Sequence, residues 1–480
     1  MITLRHQRHF LTPLFRAPLL GVLLGLLLTG VALPSSAQDP DHAELHIDYS
    51  APWGPLISDA FPDGFAINIG SSDGTPRAAK LLVFDAADRP KASQPPLLTV
   101  DSPEAPWHLL RATGLQPSRR YRYVVQLAGH ADSNGEVSTA PPLGSEQPLT
   151  IAVFGDERGS QSGVAPAARA IVSAITAEAP DLVIGTGDMV PQGGQRESWR
   201  ALLTCHGALL AQVPYFPALG NHELVGDPEG RFFHSLFPRT DHGYYSVRYG
   251  QVLLIFLNGN RPSDPEQVRF LDQVLSAAES DPTIRARLVI LHQAPLSASW
   301  HCGIGRYVAD WLQRFEKYHV DAVIAGHDHS YQRLERNGIA YFVSGGGGAT
   351  LYEQGECEPL DVMALQHYAA AFHYLMIRIT PQPAKPGVPR GRDLISVVAR
   401  SPQGPPLDQV TLPLPRTTAA TLHPERLAPG THPPKMHRGM LRYLWRHHHL
   451  AVLLGLLALS VVAIGAARLL WHLLRLRRNR

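Results

Sequence analysis

The 480-residue sequence predicts an α/β fold, preceded by an all-β sandwich and followed by a C-terminal transmembrane helix. Three observations predict it. Several apolar runs of strand length end in a small residue and then Asp, Asn or His, as where Ala322-Val323-Ile324-Ala325 meets Gly326-His327-Asp328-His329. Between Thr150 and Asp188, one such run, a stretch with apolar residues at helical spacing and a second run follow one another, which reads as strand, helix, strand. Ahead of them, from about Gln38 to Gln147, short extended segments alternate with Pro, Gly and Asp turns, the spacing of a small β-sandwich.

With 44% hydrophobic residues the chain can bury a large core and is expected to hold more than one domain. Lys and Arg total 43 against 41 Asp and Glu, a formal net charge of +2. A polyanion-binding protein should be more basic, so there is no nucleic-acid signal.

Taken in order, the chain opens with Arg5, Arg8 and Arg16, the apolar stretch Leu19 to Leu33, and Ser35-Ser36-Ala37-Gln38. That is the layout of a cleavable secretory signal over 1–37, so export is expected. Disulfides persist in such a setting. Of Cys205, Cys302 and Cys357, the last two lie in loops beside the motif strands and are the expected pair, although spacing does not fix connectivity. Over 38–147, Phe65-Ala66-Ile67-Asn68-Ile69, Lys80-Leu81-Leu82-Val83-Phe84 and Tyr121-Arg122-Tyr123-Val124-Val125 are typical strands of a scaffold without catalytic groups.

Residues 148–412 carry the chemistry. Pro, Thr and basic residues over 413–446 then read as a linker. Leu450 to Ala467, continued by Leu469 to Leu474 past Arg468, predicts a transmembrane helix within 447–474, and 475–480 a basic cytoplasmic tail. Flanking charge is balanced, so the export signal sets the orientation: a periplasmic or otherwise extracytoplasmic catalytic domain anchored in the cell (inner) membrane. His447-His448-His449 reads as an interfacial run.

Within 148–412, Thr150-Ile151-Ala152-Val153-Phe154 leads to Gly155-Asp156-Glu157-Arg158, and Asp181-Leu182-Val183-Ile184 to Gly185-Thr186-Gly187-Asp188. Val213 to Leu219 leads to Gly220-Asn221-His222-Glu223, and Arg287 to Leu291 to His292. Side chains two apart in extended chain share a direction, so His327 and His329 can face one crevice, which is metal-ligand spacing. Taken singly, each has an ordinary reading: Asp156 and Asp188 as helix caps, Asn221 as a turn residue, His292 as a hydrogen-bonded core histidine.

Asp156, Gly187-Asp188, Gly220-Asn221-His222-Glu223, His292 and Gly326-His327-Asp328-His329, in that order, resemble the calcineurin-like metallophosphoesterases. Gly326 to Arg333, reading GHDHSYQR, is close to the purple acid phosphatase pattern. Gly114-Leu115-Gln116-Pro117 before Tyr121-Arg122-Tyr123 resembles the fibronectin type III-like module that precedes it. The resemblance implies two facing mixed β-sheets flanked by helices, and two metal ions, Fe, Mn or Zn. Asp156 and His329 would hold the first ion, Asn221, His292 and His327 the second, with Asp188 bridging. A metal-bridging hydroxide would attack a small phosphate ester, His222 would protonate the leaving alcohol or position the phosphate, and His301 would contact substrate or lie as a surface histidine.

The sequence departs from that pattern twice. Arg158 stands where many members carry a histidine ligand, and guanidinium has no lone pair to donate. Pro191 stands where purple acid phosphatases carry a tyrosine ligand. The first ion thus lacks a fourth protein ligand, and Arg158 is read either as a fork onto phosphate oxygens or as a salt bridge to Glu157 or a distant carboxylate. Gly345-Gly346-Gly347-Gly348 reads as a flexible loop beside the site mouth, and His373 as structural. The expected protein is an exported, membrane-tethered phosphomonoesterase. The alternatives are a phosphodiesterase of the same family, or a pseudoenzyme that acts as an interaction protein with an incomplete first metal site.

Overall fold

The computed structural model describes residues 47–87, 94–158, 165–240, 242–305, 307–357, 359–382 and 393–413. The expected signal segment, the linker beyond Pro413, the transmembrane segment and the tail lie outside them. Among the described residues, no helix is long and apolar enough to cross a membrane.

Seven strands build the front module: β1 (Trp53–Phe61), β2 (Gly64–Gly70), β3 (Arg77–Asp85), β4 (Leu98–Ala105), β5 (Trp107–Thr113), β6 (Arg120–Leu127) and β7 (Ser133–Ser138). They form antiparallel sheets in the orders β1-β2-β5 and β4-β3-β6-β7. Alternate residues Ala79, Leu81 and Val83 of β3 and Tyr121, Tyr123 and Val125 of β6 share a buried core with Ile67, Ile69, Leu110 and Ala112. That alternation is the two-residue period of a half-buried strand. Tyr123 donates to the Ala211 carbonyl at 2.6 Å, Asn68 to the Leu236 carbonyl at 2.8 Å, and Arg239 pairs with buried Asp59, which fastens the module to the larger domain.

The larger domain adds β8 (Leu149–Phe154), β9 (Leu182–Gly185), β10 (Tyr215–Pro217), β11 (Tyr245–Tyr249), β12 (Val252–Leu257), β13 (Ala286–Gln293) and β14 (Ala322–Gly326). It continues with β15 (Tyr331–Arg336), β16 (Ile339–Ser344), β17 (Leu365–Ala369), β18 (Tyr374–Thr380), β19 (Leu394–Arg400) and β20 (Pro406–Leu412). One mixed sheet runs β10-β9-β8-β18-β19-β20, and the other β11-β12-β13-β14-β16-β15-β17.

The period of two explains the layers. Ile151 and Val153 of β8 meet Leu288 and Ile290 of β13 in a core shared by both sheets. Their neighbours Ala152 and Phe154 pack with Ile171, Ile175, Trp199 and Leu202 from the helices Pro166–Glu178 and Arg196–Leu210. Val289 and Leu291 pack with Leu271, Leu275, Trp311 and Phe315 from the helices Pro265–Ser280 and Ala309–Lys317. The result is two mixed sheets with helices on their outer faces. Asp264 caps the third of these helices by accepting from the Glu266 N–H at 2.9 Å, with Pro265 in the first turn.

Two expectations change. The run Val213 to Leu219 yields only the three-residue β10, because Pro214 and Pro217 remove ladder donors at its ends. The glycine run after β16 is buried rather than a flexible mouth loop. Gly347 N–H donates to the Gly155 carbonyl at 3.0 Å, and a Cβ on Gly347 would lie 2.1 Å from that oxygen, so only glycine permits the approach.

Candidate metal centre

Parallel strands β8, β9 and β10 in one sheet and β12, β13, β14 and β16 in the other bring their carboxyl ends to one rim. In open α/β sheets that rim is where ligands bind. Asp156 follows β8, Asp188 follows β9, Asn221 follows β10, His292 ends β13, and His327 and His329 follow β14. All six side chains converge there.

The second-ion group is the tighter one. His292 Nδ1 donates to the Thr186 carbonyl at 2.9 Å, which turns Nε2 toward the centre. Around Nε2 lie Asn221 Oδ1 at 3.1 Å, Asp188 Oδ1 at 3.2 Å and His327 Nδ1 at 3.2 Å. Asp188, His292 and His327 offer ligand atoms all within 4.8 Å of one another. Burial opposes charge on His292, yet Asp188 outweighs it and raises the imidazole to about 9. Burial, then His292 and His301, hold His327 well below its ordinary value, so it keeps a free lone pair. Burial would raise Asp188, but His292, His222 and Arg158 together hold its carboxyl well below the usual range. Convergent acceptor atoms in a field that favours positive charge fit a metal ion, with nitrogen and oxygen donors suited to Fe, Mn or Zn.

The first-ion group differs. His329 Nε2 lies 3.5 Å from Asp156 Oδ1, and Asp156 Oδ2 accepts the His327 backbone N–H at 2.9 Å. Asp156 Oδ1 and Asp188 Oδ2 are buried without a hydrogen bond. Arg158 enters this space, with Nη2 3.1 Å from His329 Nε2 and Nε 3.3 Å from Asp188 Oδ2. The salt bridge to Glu157 offered by the sequence does not form: Glu157 lies instead 3.5 Å from His206. With the guanidinium in it, this donor set does not fit a second ion.

The flanking groups are oriented. His222 Nδ1 donates to the Pro191 carbonyl at 2.7 Å, and its Nε2 stands 3.8 Å from Asp188 Oδ2. His301 Nδ1 lies 3.1 Å from Asp328 Oδ1, and its ring centroid 4.0 Å from that of His327, so it belongs to the rim of the centre rather than to open surface.

Sequence reasoning gave no role to Asp328, which also accepts the His301 backbone N–H at 2.9 Å. It equally missed Tyr352, stacked 4.1 Å from His329, for which no sequence signal existed. Glu223 was visible in the Asn-His-Glu motif but went unassigned. Its carboxylate accepts the N–H groups of Asp188 at 2.9 Å, Met189 at 2.8 Å and Gly220 at 2.9 Å, tying the Asp188 loop to the Asn221 loop. Cys302 and Cys357 are disulfide-bonded and join the His301 loop to the segment beyond Tyr352. His373 is fully buried and donates to the Ala371 carbonyl at 2.9 Å, a structural role.

Two mixed sheets, strand-end aspartates and a histidine-rich rim form a candidate metal centre. Residues 149–331 match the family model for calcineurin-like phosphoesterases. It is 28% identical over 265 residues to an uncharacterized protein of Mycobacterium tuberculosis, covering 46% of this chain and 49% of that protein. It is 24% identical over 334 residues to the "Probable inactive purple acid phosphatase 1" of Arabidopsis thaliana, covering 54% of each. The chain thus spans about half the length of these relatives. Among solved structures, the purple acid phosphatase PPD1 of yellow lupin (Lupinus luteus) superposes with a TM-score of 0.62 at 17% identity, over 75% of this chain and 74% of that one.

Proposed function

We propose that the protein is an exported, membrane-anchored phosphoesterase that hydrolyses small phosphate monoesters. The observation that carries this reading is the cluster of Asp188, Asn221, His292 and His327 around His292 Nε2, with two oriented histidines beside it. A metal ion held by those four residues would supply Lewis acidity at the phosphoryl oxygen and lower the pKa of a water at neutral pH. His222, its Nδ1 proton committed to Pro191, presents Nε2 to the site, and in its imidazolium form would pass the Nε2 proton to the leaving alcohol and return to the neutral ring. Asp328 holds His301 beside His327, where it would contact the substrate. Arg158 adds fixed positive charge for the anionic substrate.

The front module is proposed as a fibronectin type III-like scaffold. Its three- and four-stranded sheets support this, as does Tyr121, whose hydroxyl accepts the Gln116 N–H at 2.9 Å in the manner of a tyrosine corner. Export and anchoring rest on the sequence pattern at the two ends.

The purple acid phosphatase likeness favours monoesters over diesters. Initial rates on p-nitrophenyl phosphate and bis-p-nitrophenyl phosphate, after reconstitution with Fe, Mn or Zn, test this. A higher kcat/KM on the monoester is expected. A preference for the diester would reassign the protein as a phosphodiesterase, and no turnover of either with any ion would remove the enzymatic reading.

A further inference from the structure

We propose that the Arg158 guanidinium occupies the place of the first of two ions, so that the chain binds a single ion through Asp188, Asn221, His292 and His327. The inference rests on reading this rim as a metal-dependent phosphoesterase centre, and it departs from the two-ion arrangement that the sequence resemblance implies.

The argument begins with the proton on His329. Its Nδ1 lies 2.7 Å from the Thr350 carbonyl oxygen, which can only accept, so Nδ1 carries the hydrogen and Nε2 the lone pair. That lone pair is the one a metal would use, and Arg158 Nη2 stands 3.1 Å from it. Guanidinium has only donors, so the contact is a hydrogen bond from Arg158 into the ligand position of His329. Tyr352, stacked on the ring at 4.1 Å, packs against one face of the imidazole.

The same guanidinium faces the bridging carboxylate. Arg158 Nε lies 3.3 Å from Asp188 Oδ2, and Asp188 is 1% exposed. Asp188 therefore offers Oδ1 to the second-ion group and Oδ2 to a fixed cation. A divalent ion beside that cation would meet like charge in a poorly solvated setting. Among the described residues, Asp188, His292 and His327 form a group whose ligand atoms all lie within 4.8 Å of one another. Arg158 lies two residues after Asp156, where the family pattern has a histidine ligand, so a cation stands where that ligand would be.

The test counts ions and does not depend on turnover. The full chain is stripped with chelator, reloaded with Mn²⁺ and freed of excess, and manganese per chain is measured by mass spectrometry alongside electron paramagnetic resonance. The wild type should hold one Mn²⁺ with the hyperfine-split spectrum of an isolated ion, and His329→Gln should leave that count unchanged. Arg158→His should raise the count to two and give the spectrum of an exchange-coupled pair, and Arg158→Ala should also admit a second ion. Two ions in the wild type, or a count of one retained in both Arg158 variants, would overturn the proposal. If every form binds manganese as predicted yet hydrolyses no ester, the phosphoesterase reading fails while the ion count stands.

Discussion

Replacing Glu223 with Gln probes how the centre is assembled, because the side chain touches no substrate. Glu223 is 0% exposed. Oε2 accepts from Asp188 N and Gly220 N, each at 2.9 Å, and Oε1 from Met189 N at 2.8 Å and Val190 N at 3.4 Å. Glutamine keeps the shape but must turn its NH₂ toward one of these pairs, so buried N–H groups lose their acceptor whichever way the amide faces. An unsatisfied buried donor costs roughly 1–3 kcal/mol, which puts the loss on the order of 3 kcal/mol. For a domain of this size that corresponds to a fall in Tm of about 6 °C. The two loops that Glu223 joins carry Asp188 and Asn221, and a misplacement of about 1 Å in such groups costs on the order of 100-fold in rate. Scanning calorimetry and kcat/KM on a chromogenic monoester, read together, check both halves. A Glu223→Gln protein with wild-type Tm and wild-type kcat/KM would refute the claim that this carboxylate sets the ligand loops.

Three other outcomes are expected. His222→Ala should lower kcat by about 10²–10⁴-fold for esters of poor leaving groups and far less for p-nitrophenyl phosphate, since a general acid matters most where the alcohol is basic; equal losses on both would count against a proton-donor role. Cys302→Ser opens a bridge spanning 55 residues, with a chain-entropy cost of up to about 4 kcal/mol, and frees the His301 loop, so Tm should fall and KM rise; an unchanged KM would detach that loop from substrate. Burial lowers His373 from 6.5 to about 4, so as pH falls through this interval the unfolded chain takes up a proton that the folded one refuses. Stability should then drop by on the order of 3 kcal/mol between neutral pH and pH 4, and His373→Asn should lose less in urea titrations at the two pH values, whereas parallel losses would exclude His373 as a source.

What could be read from sequence, and what could not, follows from how local each signal is. β8, β9, β13 and β14 announce themselves because apolar runs of strand length end at chemically distinctive residues, and the six convergent side chains inherit their positions from those ends. The partners that orient them are non-local. Asp328 was visible between two histidines, but its purpose depends on the 297–301 loop crossing back to it. Thr350 and Tyr352 lie in irregular chain with no period to read. Gly345 to Gly348 misled in an instructive way: glycine signals conformational freedom in sequence, whereas here its missing side chain allows close packing against the Asp156 strand end. Arg158 was legible as a missing ligand, but that its guanidinium lies against His329 and Asp188 is a fact of three dimensions.

The most direct measurement is hydrolysis of p-nitrophenyl phosphate by the full chain before chelation, after it and after return of a divalent ion, with His292→Ala carried in parallel. Activity should vanish with the metal, return with it in the wild type, and stay absent in the variant, which has lost the imidazole at the middle of the ligand cluster. Turnover that survives complete metal removal, or a His292→Ala protein restored to wild-type rate, would contradict the account.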